Sequence, residues 1–345
     1  MKSIQLFIAV LSLAVVSIIA GCSRPDRVID NTQDEWEIVA ATDASPSSLT
    51  LLHQPDGIVT SSNIYSNVNG GPLPGTITKI IEFRENLYLL IPSVYQIIVV
   101  NKDSYKKVST IDLSVSQRIP SDIAFGNATT GYIAHENDTT VSVLDITNFT
   151  IPRSITVGKH PIAIVSIGNQ IFVANQASNT VSQIDTRTNT VVATHNVAPA
   201  PTFIQANIKN GHEVVVLSLG AGKIDSAEKT APVATFIDSA RFILATTVLD
   251  NIEYGGVEAF PNSMVASNKE WAFISVQKGV IRLDIRDRIL STLVFDQEYS
   301  KIFYNFRREE LLLLKNTEGA IADGDGIIKN LTFTLPTAST TIIGL

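Results

Sequence analysis

The chain has 345 residues and a formal net charge of −7, with 45% hydrophobic and only 17% charged residues. That balance argues against a nucleic-acid partner, because binding a phosphate backbone needs a basic face, and the paired bases Lys106-Lys107 and Arg307-Arg308 read as solvated turns. The single cysteine, Cys22, excludes an intramolecular disulfide and any Cys-x-x-Cys metal site.

The first element in chain order is a leader. Met1-Lys2 is followed by an apolar run over residues 4–20 and by small residues at Ala20-Gly21. A basic start, a short apolar core and a small-residue cut site predict a secretory signal over 1–21. The Ile-Ala-Gly-Cys junction resembles the bacterial lipobox, and that resemblance implies that Cys22 is acylated and becomes the first residue of the mature protein. Two or three acyl chains hold a protein stably to a membrane, each buried CH₂ contributing about 0.8 kcal/mol. Ser23, where an aspartate would favour inner-membrane retention in similar lipoproteins, points to the outer membrane. No acidic cluster follows Cys22 directly, so the periplasmic side and the cell surface both stay open. Residues 22–35 are polar, carry no hydrophobic pattern and read as a flexible tether. A single domain is expected over 36–345.

That domain is rich in Val, Ile, Leu and Thr, with Gly and Pro as punctuation, which indicates an all-β fold. No convincing amphipathic helix is visible beyond the leader. A repeated grammar runs through it: a proline, a β-rich run, then a large apolar residue and aspartate. The repeats begin at Pro120, Pro161, Pro201 and Pro261, and reach Asp145, Asp185, Asp225 and Asp284. Spacings near 40 residues with strand composition throughout are those of β-propeller blades. Residues 132–157 and 172–197 align with Tyr132 over Phe172, Val141 over Val181 and Asp145 over Asp185. Polar turns separate the strands, and alternation is expected to bury one face of each. The recurring aspartates suit Asx-turns, each carboxylate accepting its own backbone two residues on.

Counting the stretches 36–59, 87–113 (with Asn101 in the aspartate slot), 271–295 and a degenerate 310–335 gives seven blades of four-stranded antiparallel sheet; six or eight also suit the length. An N-terminal strand at 36–41 is expected to complete the last blade, since an open array leaves a bare sheet edge.

At FVANQASNTVSQIDTRTNTVVATHNV the chain resembles the YVTN family of propeller repeats, matched by Phe172-Val173-Ala174-Asn175, Val181 to Asp185, and Thr186. His135 stands where that pattern has asparagine. The passage from Ser47 to Asn101, with its Tyr/Asn/Gly-rich stretch and Pro-Gly turn, is similar to the opening of outer-membrane propeller lipoproteins of Bacteroidota. That resemblance implies a binding protein. Some such proteins capture cobalamin at the cell surface for a TonB-dependent transporter.

Propeller ligands usually lie on one face and touch loops from several blades. Loop positions recurring at blade spacing are His135 and Asn137 in one repeat, Asn175 and Gln176 in the next. A longer interval between Pro201 and Pro261 places an insertion at 239–260, which adds Arg241 and Tyr254. His195 reads as a strand residue, and Asp323-Gly324-Asp325-Gly326 as a hairpin turn. No His-Glu-x-x-His or similar spacing supports a metal hydrolase, and no cofactor is implied. The expectation is a non-enzymatic, lipid-anchored propeller capturing a small molecule, a cobalamin-like corrinoid first among candidates. The alternatives are an envelope scaffold or a propeller enzyme such as a lactonase.

Overall fold

The structure, a computed structural model, describes residues 36–54, 56–221, 230–249 and 261–345. The leader, Cys22, the tether, Asp225 and Tyr254 lie outside the described residues. Twenty-eight strands form seven four-stranded antiparallel sheets among the described residues. Six are consecutive in sequence: blade 1 (79–112), blade 2 (120–156), blade 3 (161–196), blade 4 (201–248), blade 5 (263–295) and blade 6 (301–334). Blade 7 takes three strands from the N-terminal side, Trp36–Thr42, Leu49–Gln54 and Ile58–Ser61, and its innermost strand, Ser339–Gly344, from the C-terminal side.

The closure therefore runs opposite to expectation: the C-terminal strand completes the N-terminal blade. Ile38 pairs with Gly344, Val39 with Ile343 and Ala40 with Ile342. The join satisfies the backbone edge that Trp36–Thr42 would otherwise expose.

The core is divided into seven apolar layers, one between each pair of neighbouring blades. Leu87, Leu89 and Ile91 face blade 7, whereas Tyr88 and Leu90 on the same strand face blade 2. Middle strands are thus buried on both faces, not one. This explains uninterrupted apolar runs such as LYLLI in Asn86–Ile91 and LLLL in Glu310–Lys315. The stretch 310–335 looked degenerate because it lacks alternation. Outer strands keep the half-buried pattern; Thr190–Asn196 buries only His195, whose Nε2 lies 3.1 Å from Gln183 Oε1.

Turn chemistry follows the aspartates with one reassignment. Asp145 Oδ1 accepts Thr147 N–H at 2.8 Å and Asp185 Oδ1 accepts Arg187 N–H at 2.8 Å, both two residues on. Asp284 reaches three residues on, to Asp287 N–H. In blade 4 the turn aspartate is Asp238, at the end of Val233–Asp238, accepting Phe242 N–H at 3.0 Å; the spacing rule had selected Asp225. Asp323 Oδ1 accepts from Asp325 and Ile327, which makes its Gly-rich stretch a hairpin turn.

Among the described residues one short α-helix, Ile64–Asn69, and two 3-10 turns, Pro92–Val94 and Gln176–Ser178, depart from the all-strand expectation. The α-helix links blade 7 to blade 1 and buries Tyr65 in the layer between them. Gly70 ends it at φ 74°, where its N–H bonds Ser66 O, a left-handed cap that favours glycine.

Ile342 is 2% exposed in the closing strand. Ile342→Asp is expected to destabilise the protein by about 3 kcal/mol or more, read as a lowered urea midpoint. Thr337→Asp, on the exposed stretch before that strand, should stay within about 0.5 kcal/mol.

Candidate functional site

Blades 1 to 6 each begin with their innermost strand, and the inner strand of blade 7 comes last in the chain. The face at which these strands start is called upper here; it also carries the loops between blades and those joining second to third strands. The starting prolines Pro120, Pro161 and Pro201 open inner strands directly, where a missing N–H costs nothing. Pro261 precedes its strand, Ser263–Ala266, by two residues.

The inner strands enclose a central cavity of about 350 Å³, lined from all seven blades. Its polar lining includes Lys79, Asp122, Thr202, Gln205, Ser263 and Lys301. Most of these side chains also hold the ring together. Lys79 Nζ lies 2.6 Å from Asp122 Oδ1, joining blades 1 and 2. Ser121 Oγ donates to Pro161 O at 2.8 Å, and Asp122 Oδ2 accepts Ile164 N–H at 3.2 Å, joining blades 2 and 3. Gln205 Nε2 donates to Met264 O at 3.1 Å, and Ser263 Oγ to Ile302 O at 3.2 Å. Lys301 Nζ donates to Thr340 O, and Thr340 Oγ1 to Ile77 O, which returns the sequence of bonds to blade 1. Burial pushes the Lys301 ammonium below its ordinary pKa, with Asp43 opposing the shift.

The sequence-predicted residues distribute unevenly around this cavity. Gln176 sits beside its upper rim, its Nε2 donating to the lining residue Thr202 at 2.9 Å. Asn137 is exposed on the same face, but both ends of its amide are engaged, with Gln117 O and Ile119 N–H. His135 and Asn175 occupy equivalent positions, opposite Pro120 and Pro161, and are fully buried. His135 Nε2 lies 2.8 Å from Ser142 Oγ, and Asn175 Nδ2 donates to Ser182 Oγ at 2.9 Å. They are interchangeable links between second and third strands, closed to a ligand. Arg241 lies in the turn after Asp238, at the lower face, away from His135, Asn137, Asn175 and Gln176.

The insertion is also more divided than expected. Ile243–Val248 is a regular outer strand, and the extra length falls between Ser218 and Val233 and between Val248 and Ser263, intervals that lie largely outside the described residues. Sequence reasoning missed Lys79, Asp122, Gln205, Ser263 and Lys301. A signal existed for some: Ser121-Asp122, Thr202 and Asn262-Ser263 directly follow the repeat-marking prolines.

The lining offers hydroxyls, amides and amines to a polar molecule. Asp122 is already committed to Lys79 and to the N–H groups of Ile123 and Ile164. Among the described residues no three His, Cys, Asp or Glu side chains gather as a metal site.

His135 supplies a pH test of its structural role. Burial, reinforced by Arg118, pushes its pKa down from 6.5 to about 4. Protonation therefore favours the unfolded chain. The stabilisation is complete above the unfolded pKa and is lost as pH falls from 6.5 towards 4, amounting to roughly 3 kcal/mol. His135→Asn, which copies Asn175, is expected to remove that acid-sensitive component from denaturation midpoints measured across this window.

Solved structures share the architecture. Hydrazine synthase from Kuenenia stuttgartiensis is 18% identical, with 70% of this chain and 74% of that chain covered and a TM-score of 0.50. Two structures of AztD from Citrobacter koseri, one of them apo, are 10% and 8% identical, cover 90% of this chain and 98% of theirs, and give TM-scores of 0.56. These similarities show the fold. No curated protein sequence matches the chain. The family model described as "Domain of unknown function (DUF5074)" matches residues 42–308, from the first strand of the closing blade to the first turn of blade 6, and the chain belongs to that family.

Proposed function

We propose that this protein is a lipid-anchored binding propeller of the bacterial cell envelope, taking a small polar molecule at the upper mouth of its channel. The observation that carries the reading is a coincidence on one face. The cavity lies among inner-strand starts and mixes polar groups with Ile162, Phe203, Met264 and Phe303, and the longest sequence intervals of blade 4, after Ser218 and after Val248, leave the strands at the same end. Long connections in a compact repeat are where ligand contacts concentrate. A cavity of about 350 Å³ is at the small end for ligand sites.

A corrinoid remains the leading ligand on the sequence resemblance. A macrocycle of that breadth would lie across the mouth, with its peripheral amides meeting the polar rim. Transfer to a TonB-dependent transporter follows from the same resemblance. The reading assigns binding without catalysis, because the carboxylate of the lining, Asp122, is held in an ion pair and by two backbone N–H groups. Anchoring rests on the Ile-Ala-Gly-Cys junction at Cys22.

Two measurements test the proposal. Calorimetric titration of the mature protein with cyanocobalamin is expected to give saturable heat at micromolar concentration. Gln176→Ala, which removes the amide beside the upper rim, should weaken that binding about tenfold. No heat would reject the corrinoid. Separately, Cys22→Ala should abolish palmitate incorporation and move the protein out of the detergent-extracted membrane fraction; a variant still pelleting with membranes would reject acylation as the anchor.

A further inference from the structure

We infer that the lower face along blades 4 to 7 is a membrane-contacting surface, lying on the bilayer that holds the acylated N-terminus. The inference rests on the anchoring proposed above. Its own foundation is a difference between blades. The first residue of the outer strand, exposed at the lower face, is Ile243, Ile289, Ile328 and Ile58 in blades 4, 5, 6 and 7. In blades 1, 2 and 3 the same position holds Lys107, Thr150 and Thr190. The isoleucines are 44%, 61%, 45% and 58% exposed, and their turns add Phe242 at 64% and Ile327 at 66%. Four adjacent blades thus present an exposed isoleucine just past the turn where the other three present lysine or threonine, while the turns of blades 5, 6 and 7 also carry the exposed carboxylates Asp287, Asp325 and Asp56.

The position of the chain's start selects the occupant. Trp36–Thr42 runs from the lower to the upper face, because Thr42 pairs with Ser339 at the start of an inner strand. Trp36, the first described residue, therefore sits at the lower face of blade 7, within the apolar arc. Residues 22–35 reach at most about 50 Å when fully extended. A bilayer that holds Cys22 is then presented to the arc at high effective concentration, so even shallow insertion is favoured. Separate convex apolar tips suit an acyl–headgroup boundary, whereas protein hot spots are anchors seated in pockets.

Charge plays the smaller part. Lys209, Arg288 and Lys329 beside the arc are paired with Glu270, Glu213 and Glu310 at 3.2, 3.5 and 2.5 Å, and Arg307 with Glu82. Arg241, exposed beside Phe242, adds one cation at the headgroup level. Contact is therefore expected on zwitterionic as well as anionic bilayers, with little dependence on salt. The channel's upper mouth then faces away from the membrane.

The test uses the full acylated protein in phosphatidylethanolamine–phosphatidylglycerol vesicles containing a doxyl-labelled lipid. Environment-sensitive fluorophores are attached through Ile243→Cys, Ile58→Cys or, on the upper face, Val115→Cys. Cys22 is occupied by acylation, so each label is unique. Quenching is expected at positions 243 and 58 and not at 115, and Ile289→Ser with Ile328→Ser should lower the quenching at 243 severalfold. Acylated, vesicle-bound protein with positions 243 and 58 no more quenched than 115 would overturn the inference while leaving the anchor intact. Labels at 243 and 58 shielded only after outer-membrane proteins are added would overturn it in favour of a protein partner. Protein that takes up no palmitate and does not float with vesicles would instead remove the anchor on which the inference stands.

Discussion

Every apolar layer of this protein is shared by two sheets, and no blade owns a core of its own. Tyr88 and Leu90 pack towards blade 2, while Leu87 and Leu89 pack towards blade 7 from the same strand. An isolated blade would expose both faces of its middle strands. The arrangement is stable only when seven neighbours close on themselves, and the last pairing, Trp36–Thr42 against Ser339–Gly344, completes the ring. Because that pairing joins the two ends of the domain, long-range contact is built into stability. The joint at blade 7 is correspondingly where a single buried charge has the largest reach.

The inner strands face a second constraint, since their inward edges have no fifth strand to bond. Side chains take over. Ser121, Gln205, Ser263 and Lys301 each donate to a carbonyl on the next blade, Thr340 donates to Ile77 O just before blade 1, and Lys79 pairs with Asp122 across the first junction. Polar residues in the channel are therefore structural members before they are ligand groups. A molecule at the mouth would meet what the ring leaves available, hydroxyls with a spare acceptor and amide oxygens. Ligand choice can change there without disturbing the seven apolar layers, which is why a shared propeller fold says little about the molecule bound.

The fold was legible because its signals recur. Blade spacing, turn polarity and the aspartates at 145, 185 and 284 are repeated physical solutions, and repetition separates them from noise. Where one blade departed, the reading slipped: the long connection at 219–232 displaced the turn aspartate from Asp225 to Asp238. The site was far less legible. His135 looked exceptional because turn geometry needs no imidazole, yet it is a buried neutral substitute for Asn175, bonding Ser142 as Asn175 bonds Ser182. Lys79 and Lys301 drew no notice because nothing local marks a lysine as facing a channel; only the closed ring brings their blades' inner strands together. The short helix Ile64–Asn69 was missed because six residues carry too few turns for a 3.6-residue period to register.

The two faces of the disc divide the chemistry between them. Thr78, Lys79, Thr202, Asn262 and Lys301 supply hydrogen-bonding groups at the upper end of the channel. Lower-face turns are tight hairpins whose aspartates fix their shape, so the residue following each turn is presented rigidly to whatever lies below. Rigidity matters, because an apolar side chain on a fixed tip loses little entropy on burial, whereas the same residue on a mobile loop must first be ordered. Asp238 holding Phe242 N–H and Asp323 holding Ile327 N–H each lock a turn that ends in an exposed apolar residue. The architecture that makes the blades repeat therefore separates two faces: Trp36 and the exposed isoleucines share one, and the inner strands that line the channel start on the other.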